Sequence, residues 1–293
     1  MAQCAPIADS ELIINSDGSI FHLHIKPGQL ADKVILVGDP GRVAVVKSFF
    51  DTIEAENANR EFVSATGSFA GKRITVLSTG IGTDNIDIVM TELDALVNID
   101  FNTRTPKAEH KTLEIVRIGT SGSLQPDLPV GSWLLSEAAV GFDGVLNYYA
   151  GRDSVSDLDF EHSFEEFTGW NPLLAKPYVV NGSSELIGRL KNNPSIHIGT
   201  TISAPGFYGP QGRVVRLPLA DPEINHKITA FRHGGRCITN YEMECSCIYG
   251  LSLLLGHKAA TVCAIIAGRT SGTATKDYKP VIKQLIGHVL SNI

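Results

Sequence analysis

The feature that most constrains the fold is a recurring pair: a short apolar run rich in β-branched residues, followed by a glycine-containing loop. Residues 34–37, 74–77 and 113–116 are such runs, and residues 260–267 form another further along the chain. The runs are continuous and do not alternate with polar residues, which is typical of strands buried on both faces of a sheet. We therefore predict a central, largely parallel β-sheet.

Helical spacing of apolar residues separates these strands. It predicts helices over residues 84–97, 243–255 and from about 279 onward, with Asn240 near the start of the second as a cap. Strands that alternate with helices predict an α/β fold, here a three-layer α/β sandwich around a central mixed, largely parallel β-sheet. No linker-like change of composition divides the chain, so we expect a single domain over residues 1–293.

Four stretches are expected to be loops or insertions. Residues 98–112 are polar, residues 151–170 are acidic and aromatic, and residues 204–222 are rich in proline and glycine. Residues 117–122 contain two glycines directly after a strand, and we interpret them as a glycine loop.

Composition and charge exclude several classes of protein. The net charge is −6 without any block of like charges, which argues against a nucleic-acid binder. The longest apolar run, residues 259–267, is too short to span a bilayer, so no membrane segment is expected. Five cysteines occur, and Pro6 and Asp9 stand where a signal peptide would have its apolar core. We expect reduced thiols in a cytoplasmic protein, with Cys245 and Cys247 buried by packing.

Three arginines lie in or near the glycine loops. In open α/β sheets, ligands bind where strand ends meet such loops, and Arg42 and Arg117 both follow predicted strands, with Arg60 on a nearby element. Gly38 offers a backbone N–H, and Thr120 offers both an N–H and a hydroxyl. The set suits a free phosphate, which guanidinium groups bind in bidentate fashion. A surface ion pair is the alternative for each arginine alone.

The familiar nucleotide motifs do not fit this chain. The sequence contains no G-x-x-x-x-G-K-[ST], and residues 80–85 lack the third glycine of the dinucleotide fingerprint. A nucleoside triphosphate or NAD site is therefore disfavoured.

Two polar groups of residues remain. Glu242 and Glu244 begin the predicted second helix, where they are either an acid–base pair of the glycosidase kind or solvated acids at a helix start. Gln211, close to Arg213, carries an amide that both donates and accepts, which fits the edge of a nucleobase.

A metal site is not expected. His22 and His24 would share one face of a strand, but no third ligand with suitable spacing accompanies them.

Taken in order along the chain, these segments resemble the nucleoside phosphorylase-I family. The resemblance implies a phosphate site built from Gly38, Arg42, Arg117 and Thr120, with Arg60 reaching into the neighbouring subunit's site. The segments that carry it are Gly38-Asp39-Pro40 with Arg42, Asn59-Arg60-Glu61-Phe62, Ser78-Thr79-Gly80-Ile81-Gly82 and Arg117-Ile118-Gly119-Thr120-Ser121-Gly122.

Further segments resemble the pyrimidine branch of that family. Phe207-Tyr208 with Gln211-Gly212-Arg213 resembles its uracil-reading insertion, and Arg269 stands where purine enzymes typically carry an aspartate. Tyr241-Glu242-Met243-Glu244 resembles the ribose-binding motif, and Phe21-His22 the pair that a partner subunit lends to close over the sugar. The resemblance implies that ribose is bound by His22, Glu242, Met243 and Glu244. It implies that uracil is bound by Phe207, Gln211, Arg213, Gly122 and Arg269.

The activity that the resemblance implies is reversible phosphorolysis of uridine to uracil and ribose 1-phosphate by a pentosyltransferase, in pyrimidine nucleoside salvage or catabolism. Inorganic phosphate is then a co-substrate, no organic cofactor is needed, and a homo-oligomer with the dimer as its smallest active unit is expected. The alternatives are a hydrolase of the same fold, a phosphorylase of purine nucleosides or thymidine, and a non-catalytic nucleoside-binding protein.

Overall fold

The computed structural model describes residues 5–293, so Cys4 lies outside the described residues. Within them, strands alternate with helices through most of the chain. The strands are β1 (Lys33–Val37), β2 (Thr52–Asn59), β3 (Phe62–Phe69), β4 (Lys72–Ser78), β5 (Ile99–Asp100), β6 (Thr105–Pro106), β7 (Glu114–Ser123), β8 (Trp133–Gly141), β9 (Tyr178–Asn181), β10 (Ile196–Ser203), β11 (Arg232–His233), β12 (Arg236–Glu242), β13 (Lys258–Gly268) and β14 (Thr273–Ala274). The helices are α1 (Pro40–Lys47), α2 (Thr83–Asn98), α3 (Arg152–Val155), α4 (Leu158–Thr168), α5 (Ser184–Leu190), α6 (Ile224–Ala230), α7 (Cys245–Leu255) and α8 (Lys279–Asn292), with short 3₁₀ turns at Pro27–Gln29, Val145–Tyr148 and Gly209–Gln211.

One twelve-stranded mixed sheet forms the middle layer, in the order β11-β12-β10-β8-β13-β7-β1-β4-β3-β2, with β9 and β14 pairing off this path. Its centre is parallel, because β1 pairs with both β4 and β7, and β7 pairs with β13 in the same direction. The four continuous apolar runs all lie in these strands. The predicted α/β sandwich in a single domain around a mixed, largely parallel sheet is confirmed.

The sheet also curls back on itself, which the sequence pattern did not predict. Strand β12 pairs parallel with β10 along one side and antiparallel with the end of β7 on the other. The β7 contact joins Tyr241 to Gly122 and Asn240 to Ser123. The closure brings the residues that follow β12 next to those at the end of β7.

Helices cover both faces of the sheet, and alternate residues of the central strands feed two separate cores. Val34 and Leu36 pack on the side of α2 and α7. Ile35 and Val37 pack on the other side, with α1, α5 and α8. Full burial of side chains of this size contributes roughly 1.5–3 kcal/mol each. Burial on both faces explains why these strands carry continuous apolar runs.

Most helix predictions are confirmed, but the second helix begins differently. The structure has α2 and α8 where they were predicted, whereas α7 begins at Cys245 and not at residue 243. Asn240 is not its cap: it lies in β12, where its amide bonds the hydroxyls of Ser121 and Thr201. The carboxylate of Glu242 instead accepts the first free N–H groups of α7.

Two of the four predicted loops are wrong. Residues 151–170 hold α3 and α4; the latter is capped by Asp157, ends at Gly169 with φ +59°, and buries Phe160 and Phe164. The predicted glycine loop at 117–122 is the continuation of β7. Residues 98–112 and 204–222 are mainly irregular, as predicted.

Three further features concern single residues and the membrane. His22 and His24 do not share a strand face, because residues 21–23 form a turn and His24 has φ +53°. Cys245 and Cys247 are free and buried, as predicted. No helix within residues 5–293 is both long and apolar enough to cross a membrane.

Candidate active site

A cavity of about 560 Å³ opens at the carboxyl edge of the parallel strands. Strands β1, β4, β7, β12 and β13 all end here, which is where open α/β sheets bind ligands. The residues that line it are Gly38, Asp39, Pro40, Arg42, Gly80, Ile81, Arg117, Gly119, Thr120, Ser121, Gly122, Phe207, Gln211, Arg213, Tyr241, Glu242, Met243, Glu244, Ile266 and Ala267.

One end of the cavity is cationic. Arg42 belongs to the first turn of α1, and its Nη1 donates to the carbonyl of Ile118 at 3.1 Å. Burial lowers the pKa of Arg42, and the nearby Arg117 guanidinium adds to this. Arg42 takes part in no salt bridge among residues 5–293, and a buried cation without an anion is costly, so this end favours an oxyanion. Gly38 and Thr120 lie beside it.

The sequence indicated that Arg117 follows the end of a strand. In the structure it lies inside β7. Its side chain extends along the strand over Gly119 and lies between two carboxylates: it donates to Glu244 and lies 3.2 Å from Glu242. Burial lowers the pKa of Arg117, but the two carboxylates outweigh this and hold it above its usual value. Both carboxylates are buried, so the interpretation of them as solvated acids is wrong.

Gly119 allows this position of Arg117, and sequence reasoning missed it. A Cβ at residue 119 would lie 2.1 Å from Nη1 of Arg117 and 2.8 Å from Sγ of Cys263. Any larger residue would therefore displace the guanidinium. The signal was a glycine inside an apolar strand, which often marks a close approach and which we interpreted as a loop.

Glu244 lies between the cationic end and the rest of the cavity. Its Oε1 accepts the N–H of Gly82 at 2.8 Å, while its Oε2 accepts from Arg117. Burial raises the pKa of Glu244 to about 7, with the charge of Glu242 in the same direction and Arg117 opposed. Met243 lines the cavity beside it.

The opposite end combines an amide, a guanidinium and an aromatic ring. Arg213 donates to the carbonyl of Phe207 at 2.6 Å, and its Cζ lies 3.8 Å from the centre of the Phe207 ring. It also donates to the amide oxygen of the buried Gln211, which fixes how that amide is turned. Burial, and to a lesser degree the charge of Arg269, lowers the pKa of Arg213 to about 10.

Arg269 and Gly122 adjoin this end. A Cβ built on Gly122 would lie 3.8 Å from Nη2 of Arg213 and 3.9 Å from Cδ of Arg269. Arg269 donates from Nη2 to the carbonyl of Gly212 at 3.2 Å, while its buried Nη1 has no hydrogen-bond partner among residues 5–293. It supports the loop from behind and does not line the cavity.

Two predicted site residues, Arg60 and His22, lie outside this cavity. Arg60 occupies the turn between β2 and β3 with φ +53°. His22 is tied to α2, because Glu92 accepts from its Nδ1 at 2.6 Å and from its backbone N–H at 3.1 Å. Asn59, directly before Arg60, donates its amide to the carbonyl of His22 at 2.9 Å. The two residues therefore form one local unit.

Other lining residues were not predicted as site residues, although Tyr241 and Ser121 lie in motifs quoted above. Tyr241 and Ser121 reach the cavity through the β7–β12 closure. Ile266 reaches it at a register shift in β13 between Ile265 and Ala267. Bulges of this kind re-aim side chains and leave no reliable trace in the hydrophobic pattern.

A group elsewhere has the composition of a metal site. Ligand atoms of Asp94, His110 and His257 lie within 4.8 Å of one another. However, the N–H of Leu113 donates to Nδ1 of His257 at 3.2 Å. The proton of that ring is then on Nε2, which lies 3.2 Å from Asp94 and cannot offer a metal a lone pair in this state. The arrangement suits a histidine–carboxylate pair.

The site as a whole is a cleft at the carboxyl edge of the sheet with buried arginines and carboxylates on one side and an amide, a guanidinium and an aromatic ring on the other. Such a site in this fold is that of a group-transfer enzyme. The model of the phosphorylase superfamily matches residues 32–286. This chain belongs to that superfamily.

Individual relatives act on different bases. A uridine phosphorylase of Thermococcus kodakarensis is 29% identical over 263 residues, covering 87% of this chain and 79% of the relative. A DeoD-type purine nucleoside phosphorylase of Streptococcus suis is 30% identical over 246 residues, covering 83% and 84%. Among solved structures, a Trypanosoma brucei nucleoside phosphorylase that shows uridine phosphorylase activity is similar with a TM-score of 0.87 and 30% identity, covering 96% of this chain and 98% of that one.

Proposed function

We propose that this chain is a uridine phosphorylase, a pentosyltransferase that converts uridine and inorganic phosphate reversibly to uracil and ribose 1-phosphate. The observation that carries the proposal is the arrangement of three groups that line one cavity. Arg42 bonds the carbonyl of Ile118 in β7 and Arg117 bonds Glu244, whereas Arg213, with Gln211, lies near Gly122, four residues further along β7 than Ile118. We assign the arginines Arg42 and Arg117 to phosphate, Glu244 to ribose, and Gln211 with Arg213 to the base.

The relatives support the proposal in part. Uridine phosphorylases of two sources and the solved structure with uridine phosphorylase activity resemble this chain over most of its length. Because a purine enzyme is equally similar in sequence, the choice of uridine depends on the base end of the cavity. There, Gln211 and Arg213 suit the carbonyl and N–H edge of uracil, and Arg269 replaces an acid that would protonate a purine.

In this proposal phosphate binds to Arg42, Arg117, Thr120 and the N–H of Gly38, and it attacks C1′ of the ribose. Because phosphate is already an anion, no general base is needed. The bond from C1′ to uracil breaks as the phosphate oxygen approaches, and its electron pair leaves with the base.

The charges of the cavity favour that transition state. Glu244 accepts ribose hydroxyls, and its negative charge stabilises the cationic sugar, with Met243 packed beneath the ring. Gln211 and Arg213 stabilise the negative charge that develops on uracil, with Phe207 and Gly122 against the ring and Arg269 in support. Loss of one such donor typically reduces the rate by about 10²–10³. The reaction needs no organic cofactor or metal.

The proposal includes a cytoplasmic homodimer as the smallest active unit. His22 and Arg60 are outside the cavity of their own chain and lie together on one unit, so they are available to a partner's site. Arg60 would add a third cation to the partner's phosphate, and His22 would bond its ribose.

One assay tests the proposal against its rivals. Release of base is measured from uridine, thymidine and inosine, each with and without phosphate. We expect uracil from uridine, and only when phosphate is present. Equal cleavage without phosphate would identify a hydrolase, preference for inosine a purine phosphorylase, and saturable uridine binding without uracil release a binding protein.

A further inference from the structure

Glu242 is the most fully engaged carboxylate in the cavity. Its Oε1 accepts the hydroxyl of Ser203 at 2.5 Å and the N–H of Cys245 at 3.0 Å. Its Oε2 accepts the N–H of Glu244 at 2.9 Å and that of Cys245 at 3.0 Å, and lies 3.2 Å from Nη1 of Arg117. A carboxylate has about four lone-pair sites, and four hydrogen bonds from three donors occupy them here, with the N–H of Cys245 shared between both oxygens and Arg117 adding a salt bridge.

This saturation leaves no acceptor for a ribose hydroxyl. The side chain is 1% exposed, so a substrate hydroxyl that bonded to it would have to displace a buried protein donor. Displacing a backbone N–H at the start of α7 would leave that buried group unpaired, which is unfavourable. Glu244, by contrast, accepts from two protein groups and keeps capacity for substrate.

The four groups that contact Glu242 belong to parts of the site whose relative positions matter for the proposed reaction. Arg117 is proposed to bind phosphate, and the N–H of Glu244 belongs to the residue proposed to bind ribose. Ser203 ends β10, and Cys245 begins α7. One buried charge therefore fixes the start of α7, the direction of Glu244 and one side of the Arg117 guanidinium.

We propose that Glu242 is a positioning residue that acts through Arg117 and Glu244, and that it does not contact the ribose. The inference rests on the proposed function and refines it, since the sequence had placed Glu242 among the ribose ligands. It predicts that loss of the Glu242 charge lowers the rate by the same factor for nucleosides with and without the 2′-hydroxyl.

The test compares Glu242→Gln with Glu244→Gln on uridine and 2′-deoxyuridine. We expect Glu242→Gln to lower kcat/KM at least tenfold on both substrates, with their ratio unchanged. Glu244→Gln should lose more kcat/KM on uridine than on 2′-deoxyuridine, because only uridine has the 2′-hydroxyl that Glu244 is proposed to bond. If Glu242→Gln changed the ratio as Glu244→Gln does, Glu242 would be a ribose ligand and the inference would be wrong.

The pH dependence of kcat/KM is a second measurement, and a purely structural role of Glu242 would leave it unchanged. Glu242 is a like charge beside Glu244, so its removal should lower the pKa of Glu244 and move the acid limb of kcat/KM to lower pH. An acid limb at the wild-type pH, together with wild-type activity, would overturn the inference.

Glu161→Gln is the matched control. Glu161 is also buried, and it also accepts an arginine (Arg152, 2.8 Å) and a backbone N–H (Val179, 2.8 Å), but away from the cavity. It should lose stability without any change in the pH profile or in substrate ratio. If Glu242→Gln fails to fold, Ser203→Ala removes one donor from Glu242 and keeps the charge; we then expect a drop of about two- to tenfold, equal on both substrates.

Failure of the proposed function is distinguishable. If the wild type prefers purines, inosine and 2′-deoxyinosine replace the uridine pair, and the comparison of the two variants is unchanged. A wild type with no phosphate-dependent cleavage of any of the four nucleosides would overturn the proposed function and this inference together.

Discussion

At the scale of single residues, the proposed mechanism depends on the charge of one carboxylate. Burial raises the pKa of Glu244 to about 7, so it changes charge in the range where an enzyme of this kind works. In the proposed mechanism the ionised form accepts ribose hydroxyls and stabilises a cationic sugar. Protonation removes the charge and turns one acceptor into a donor.

The pH dependence follows with a definite sign. Because the ionised form is the active one, kcat/KM for uridine should fall as the pH drops through about 7, by about tenfold per unit well below it. The measurement is kcat/KM at saturating phosphate from about pH 5 to 9. Glu244→Gln, which has no proton to gain, should be slower throughout and lack this limb, and a flat wild-type profile around neutrality would contradict the assignment.

Gln211 belongs to the same scale, since its amide is the group proposed to recognise uracil. In Gln211→Leu the polar edge of uracil would face an apolar side chain, and a buried unpaired polar group costs about 1–3 kcal/mol. We expect kcat/KM for uridine to fall by about 10- to 100-fold, because uracil is more anionic in the transition state than in bound uridine. The KM for phosphate should hardly change. Near-wild-type efficiency would show that Gln211 does not recognise the base.

At the scale of elements, β7 pairs with its neighbouring strands while the side chain of Arg117 lies along β7 itself. That combination requires Gly119, since a Cβ there would lie 2.1 Å from the Arg117 guanidinium.

Gly119→Ala should therefore reduce kcat/KM at least tenfold while far-UV circular dichroism stays as in the wild type. Arg117 would be displaced from phosphate without any loss of strand pairing. Gly188→Ala is the control, because Gly188 lies in α5 with open space around its Cβ position. It should keep full activity and gain up to about 1 kcal/mol of stability. Full activity in Gly119→Ala would show that Arg117 tolerates another position.

The same scale shows how far sequence predicts this fold. Continuous apolar runs identified the central strands, and helical spacing identified α2 and α8, because burial on both faces or on one face leaves a direct pattern. The prediction failed where glycine served close packing and not a turn, as at Gly119 in β7. It also failed for α4, whose capping Asp157 and terminal Gly169 were outweighed by an acidic composition.

At the scale of the molecule, the site depends on a closure that no local pattern encodes. Most residues that line the cavity were named from glycine loops, arginines and family-like motifs. Their neighbours Tyr241 and Ser121 join them only because β12 pairs with β7 across a long sequence separation. Pairing of this kind is decided by the whole sheet and leaves no periodicity in either strand.

The dimer proposal is tested by mixing two inactive variants. Arg42→Ala lacks a cation from its own site, and Arg60→Ala lacks the one that it lends. In a mixed dimer, one site lacks both arginines and the other is complete. Random exchange of equal amounts should restore about a quarter of wild-type activity, since half the dimers are mixed and each has one good site. No recovery after confirmed subunit exchange, or a fully active monomer in sedimentation, would contradict the proposal.

The hydrogen bond from Asn59 to the carbonyl of His22 has a consequence for how activity depends on enzyme concentration. It joins the two groups that we propose the partner lends, so dissociation of the proposed dimer would withdraw a phosphate contact and a sugar contact in the same event. Dilution should then reduce the number of complete sites, without producing a slower form whose sites lack only one of the two contacts. By mass action, specific activity below the dimer dissociation constant should decline in proportion to protein concentration, while both KM values stay constant.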